Sequence, residues 1–139
     1  MPPSTLSQDQ FSSVKKGYAN TIIDRYLRSE RITPDDAGLI SEFLAERRAA
    51  GGISMGRVDK LTFTLVAWRR FLPPFSTLTI GTVYTGIEAI KQAESHRGRA
   101  YKQNTLFDHV SILKQFLLWM IDNEYINLPE KKVRAIRTP

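Results

Sequence analysis

Val58, Leu61, Leu65, Trp68 and Leu72 recur at spacings of three, four, three and four residues, the seam of a helix buried along one side. A similar period runs through most of the chain, and no stretch of useful length alternates apolar with polar residues as a half-buried strand would. The expected fold is therefore all-α, a compact bundle of four to five helices. Residues 1–6 read as a flexible tail. Ser7 with Gln10 resembles a capping box that opens a first helix reaching about Ser29, with Gly17 as a break and Tyr18, Ile22 and Tyr26 as its stripe. Thr33 as N-cap, Pro34 at the first helical position and acidic Asp35 and Asp36 open a second helix. Its apolar face is Ala37, Ile40, Phe43 and Leu44, and Gly51-Gly52 ends it.

Ser54 caps the third helix, which Pro73-Pro74 stops. A fourth runs from about Thr79 to Ser95 with Ile80, Val83, Ile87 and Ile90 inward. A basic connector over 96–103 leads to a fifth helix from near Asn104 to near Tyr125, striped by Leu106, Val110, Leu113, Leu117 and Met120. The stretch Phe116 to Ile121 is apolar on every side and is expected at the buried centre. The organisation read from this is an N-terminal helical segment (7–30), a helical core (31–128) and a basic, extended linker (129–139).

A chain of 139 residues with 42% hydrophobic content can bury the core of one domain. The absence of cysteine rules out a disulfide scaffold and thiolate-bound metal, and two histidines are a poor basis for a catalytic metal centre, so no cofactor is expected. The longest apolar run, Phe116 to Ile121, falls far short of the roughly 20 residues a membrane span needs. Met1-Pro2-Pro3-Ser4-Thr5 has neither a basic start nor an apolar run, so a cytoplasmic location is expected. The 20 Lys and Arg against 14 Asp and Glu give a net charge of +6, and such a balance suits nucleic acid or another anionic surface.

The cations gather at particular places. Arg57 and Lys60 stand in the first turns of the third helix, and Lys102, Asn104 and Thr105 at the entrance of the fifth, with Lys114 further along it. A helix entrance offers free N–H groups to phosphate, and Arg, Asn, Gln and His can read base edges. These residues are expected to form one DNA-facing surface. His109 has two readings, a boundary histidine packed partly inward or a group facing a DNA groove. His96-Arg97-Gly98-Arg99 spells His-x-x-Arg with Tyr101 close behind, but a connector without a supporting shell does not preorganise a nucleophile, so no catalytic residue is assigned. A 48-residue shift lays Val58, Leu65, Trp68, Phe71 and Leu72 on Leu106, Leu113, Phe116, Trp119 and Met120, which suggests two similar helical hairpins packed as a pair.

Those two helices carry a resemblance. Asn104-Thr105, then Val110, Leu113, Phe116 and Trp119, followed by Asp122-Asn123-Glu124-Tyr125-Ile126-Asn127-Leu128-Pro129, resembles the core-binding, SAM-like N-terminal domain of tyrosine recombinases, the phage-integrase family. Leu128 inserted before the proline departs from that pattern, as does Arg57 where Thr is common, and the similarity covers roughly 34–130. The resemblance implies an all-α domain with an extra N-terminal helix that forms half of a clamp around double-stranded DNA, for DNA integration and recombination. It implies that the catalytic domain lies downstream, that this part is not an enzyme, and that it is monomeric alone and oligomeric on DNA in the full-length protein. The rival reading is a helical protein-interaction module whose charge is incidental.

Overall fold

The computed structural model describes residues 18–94 and 98–139. Among them every regular element is helical: α1 (18–28), α2 (Pro34–Gly51), α3 (Met55–Trp68), a 3₁₀ turn (Phe75–Thr77), α4 (Ile80–Gln92), α5 (Gln103–Asp122) and α6 (Glu130–Arg134). One isolated antiparallel bridge, Glu94 to Ala100, closes the connector between α4 and α5. α3 packs on both α2 and α5, while α4 and α6 lie against α5. The all-α bundle expected from the periodicity is what forms. The expected Ser7 capping box and Gly17 break lie outside the described residues, as do His96 and Arg97.

The elements begin where the chain supplies side-chain acceptors for unpaired helical N–H groups. Thr33 accepts from the Asp36 amide at 3.0 Å while Asp36 accepts from the Thr33 amide at 2.9 Å, a reciprocal capping box. Ser54 accepts from Arg57 and Thr79 from Thr82 at the starts of α3 and α4. α1 and α5 both finish with a left-handed residue, Glu30 at φ 58° and Glu124 at φ 60°, and the next amide reaches back to Tyr26 and Met120 respectively at 2.9 Å.

One continuous core joins α1 through α6. Val58, Leu61, Leu65, Trp68 and Leu72 are all buried, so the seam that first marked the chain as helical is the spine of the core. At its centre Phe116 meets Phe43 edge-on at 5.3 Å and Phe75 at 5.1 Å, and stacks on Trp119 at 5.8 Å. α4 passes so close to the turn after α3 that a Cβ on Gly86 would stand 2.3 Å from Leu72 Cδ2 and 3.0 Å from the Phe71 carbonyl oxygen.

Asp36 does more than cap. Its fully buried carboxylate also accepts the Phe75 amide at 2.9 Å and lies 3.4 Å from Arg69 Nε, while Arg69 Nη1 donates to the Arg31 carbonyl at 2.9 Å. One side chain thus ties the start of α2 to the 3₁₀ turn, to the end of α3 and, through Arg69, to the turn after α1.

Two expectations are corrected. Tyr18 is 45% exposed and sits edge-on to the exposed Phe63 at 5.3 Å; the inward face of α1 is Ala19, Ile22 and Ile23. Ile22 keeps its expected place in the core, and Ala19 rather than Tyr18 is the buried residue one turn before it. The extended tail expected after Pro129 instead begins with α6, which buries Val133, and Ile136 beyond it is buried too. Charge at Lys131, Lys132 and Arg134 hid the apolar pair three residues apart that anchors this segment.

Candidate nucleic-acid interface

The 48-residue similarity has a geometric counterpart. Lys60 on α3 and Asp108 on α5, 48 positions apart, form an ion pair at 2.6 Å with both side chains partly exposed. This bridge links the first turns of the two helices on the outside of the bundle. Arg57 stands one turn before Lys60, with its amide on the Ser54 cap and its side chain without an ionic partner among the described residues. Lys102 occupies the N-cap position of α5 and cannot accept a hydrogen bond there, so the first amides of α5 carry no side-chain cap. Lys102 and Asn104 are exposed, and Thr105 is half-buried.

His109 turns inward from this surface. Its ring packs 5.6 Å from Tyr101 and 6.3 Å from Trp68, with Nδ1 3.0 Å from the Thr105 carbonyl oxygen. Trp68 Nε1 donates to the His109 carbonyl at 2.9 Å, a second link between α3 and α5 besides the ion pair. Burial holds the imidazole below its ordinary value of 6.5; the Thr105 carbonyl and Asp108 oppose this and Lys60 adds to it. Of the two readings of His109, the packed boundary residue describes its geometry. Tyr101 is likewise a packing group, held between Phe71 and His109.

Lys114 is not brought to this surface. Its ammonium donates to the carbonyls of Arg134 and Ile136 at 3.0 and 2.7 Å, satisfying the end of α6. Sequence position alone placed it with the other cations, because the segment that captures it looked like a loose tail. Arg47, near the end of α2, bonds Gln115 and lies over the Phe43 ring. Only Gly52, Ile53 and Ser54 separate α2 from α3, so Arg48 stands at the same end of the bundle as Arg57.

Two residues of the surface were not anticipated. Asp108 was legible only through the 48-residue offset, which sets it opposite Lys60. Phe107 is 46% exposed on the outer face of α5, where a core role was the natural expectation for an aromatic residue. Along that face Asn104, Phe107, Asp108 and Ser111 follow at helical spacing, while Leu106, Val110 and Leu113 point inward.

A different face of the bundle is acidic. Tyr125 donates its hydroxyl to Glu42, which holds the phenol above its ordinary value of 10.0, and Trp119 Nε1 donates to Glu46 at 3.1 Å. Among the described residues no group of three His, Cys, Asp or Glu side chains could hold a metal ion, and no helix is long and apolar enough to cross a membrane. Compared with known proteins, the chain matches no family model, no curated protein and no solved structure.

Proposed function

We propose that this chain binds double-stranded DNA through the starts of α3 and α5, as the non-catalytic DNA-gripping domain of a site-specific tyrosine recombinase. The observation that carries the reading is the Lys60–Asp108 bridge, which joins two similar polar helix entrances into one surface with Arg57 and Lys102, cations that have no ionic partner among the described residues. The net charge of +6 supports it, as does the motif resemblance across the two helices. Phosphate contacts supply most of the affinity in such an interface and base edges the remainder.

About three phosphate contacts, from Arg57, Lys102 and a Lys60 released from Asp108, give a log–log salt slope near −2.7. Fluorescence anisotropy on a labelled duplex across a salt series measures it. Arg57→Glu with Lys60→Glu should weaken binding and flatten the slope by roughly two units, and the same reversal at the exposed Lys131 and Lys132 should do much less. Equal losses from the two pairs reduce the interface to diffuse charge and refute the proposed surface.

The exposed Tyr18–Phe63 pair favours a second reading, a module that docks a protein partner through apolar contacts. Such binding would respond little to salt, so the same titration separates the two.

A further inference from the structure

Phe107 has no evident task in the fold. Its ring is nearly half exposed, it belongs to no aromatic pair among the described residues, and the core is complete without it. Asn104 lies one turn before it on the same face of α5, also exposed. Residues three apart on a helix hold their Cβ atoms about 5–6 Å from each other, which spans one to two base-pair steps at roughly 3.4 Å each. The neighbouring carboxylate, Asp108, lies 2.6 Å from the Lys60 ammonium, so the two together add no net charge to this face.

The chemistry of the two side chains is complementary to one kind of base pair. An asparagine amide can donate to adenine N7 and accept from adenine N6, while an apolar ring packs against the thymine C5 methyl in the major groove. Guanine–cytosine pairs offer neither the methyl nor that donor–acceptor pattern at the purine. Resting on the DNA-binding reading above, we propose that the Asn104–Phe107 face of α5 is a sequence-reading element that selects adenine–thymine steps, with Phe107 recognising the thymine methyl. The flanking cations Arg57 and Lys102 hold the backbone while this pair reads the groove. An α-helix fits the major groove of a duplex, so a duplex rather than a single strand is the expected ligand.

The test uses duplexes of equal length with alternating dA·dT, dA·dU or dG·dC sequence, a single-stranded dT oligomer, and anisotropy titration of the full chain. The dA·dU duplex differs from dA·dT by the thymine methyl alone, so the wild-type protein reports the contact without any substitution. The expected result is dA·dT bound about fourfold tighter than dA·dU for each methyl contacted, with dG·dC weaker again. Phe107→Ala should bind dA·dT and dA·dU equally; Asn104→Ala should lose the preference of dA·dU over dG·dC yet retain that of dA·dT over dA·dU. Equal wild-type binding to dA·dT and dA·dU, a methyl preference that persists in Phe107→Ala, or tighter binding to single-stranded dT would overturn the proposal. So would sedimentation velocity showing a wild-type dimer that Phe107→Ala dissolves, because the ring would then serve a second copy of the chain. Duplex binding without methyl discrimination overturns this inference alone, whereas no binding to any duplex overturns the DNA reading itself.

Discussion

Replacing Asp36 by asparagine changes one oxygen to an amide and leaves the shape of the side chain almost intact, which makes it a clean probe of the junction below α2. The carboxylate accepts from Thr33 and Phe75 through different oxygens and faces Arg69, whose side chain is only 14% exposed. Asparagine keeps one acceptor. Whichever way it turns, its NH₂ group confronts either the Thr33 or the Phe75 amide, and Arg69 loses its counter-charge. A charge-assisted hydrogen bond contributes about 1.5–3 kcal/mol, and a buried donor left without a partner costs about 1–3 kcal/mol. Allowing for overlap between these effects, Asp36→Asn should cost about 3–4 kcal/mol, a large share of the roughly 5–15 kcal/mol typical of a domain. That corresponds to a fall in melting temperature on the order of 10 °C. Urea unfolding followed at 222 nm and by tryptophan fluorescence would measure it. The exposed neighbour substitution Asp35→Asn should stay within about 0.5 kcal/mol. Adding Arg69→Met to Asp36→Asn should recover part of the loss, since it removes the stranded cation. A cost near 1 kcal/mol for Asp36→Asn would mean that Asp36 acts only as part of a helix cap, and the junction described above would be wrong.

Gly86→Ala should destabilise by about 1–3 kcal/mol because the new methyl collides with Leu72 and with backbone, whereas Gly81→Ala on the same helix meets only Thr79 Oγ1 at 3.8 Å, an ordinary contact, and should be neutral or stabilising by up to about 1 kcal/mol; chemical denaturation of both separates packing from propensity. Lys114→Met should lose about 1–2 kcal/mol by releasing two carbonyls at the end of α6, with duplex affinity close to wild type, so a large loss of DNA binding would return Lys114 to the interface. His109 has a lowered folded-state pKa, so the unfolded chain binds the proton more readily. Its contribution is complete above the unfolded value of 6.5 and is lost as pH falls below it. The urea midpoint of wild type should therefore drop between pH 7.5 and 5.5 by more than that of His109→Gln, and parallel profiles would show that His109 does not titrate with folding.

The helical architecture was legible because the signals that set it are local. Thr33, Ser54 and Thr79 cap where capping chemistry puts them, and the three-four spacing of Val58 through Leu72 needs only one helix to be read. What escaped the sequence depends on where two distant segments meet. Asp36 reads as a favourable charge near a helix dipole, yet its burial is decided by Phe75 and Arg69, 39 and 33 positions away along the chain. Gly86 reads as a weak helix former, although its meaning lies in the approach of Leu72. The segment around α6 reads as polar because four of its five residues are charged, and only the packing of Val133 shows that it belongs to the core. Of the candidate surface, Lys60 and the entrance of α5 were recoverable from the internal similarity, while the removal of Lys114 required knowing where the chain returns.

The same logic limits what net charge can say about a partner. A formal charge of +6 invites the view that every cation is available to an anionic ligand. In the folded chain Arg69 faces Asp36, Arg70 donates to the Glu94 carbonyl, Arg47 bonds Gln115, Lys114 closes α6, and Arg134 pairs with Glu130. Each of these groups already satisfies a carbonyl, an amide or a carboxylate, and recruiting it to a phosphate would leave that acceptor unmet. A cation with no such duty can give its whole Coulomb energy to a ligand. Arg57 and Lys102 meet that condition at one surface, and Lys60 meets it at the cost of an exposed ion pair worth about 0–1 kcal/mol. At the proposed surface the cations open to a phosphate are thus those without another duty there, Arg57 and Lys102, while the exposed, uncharged Asn104 and Phe107 follow Lys102 along α5.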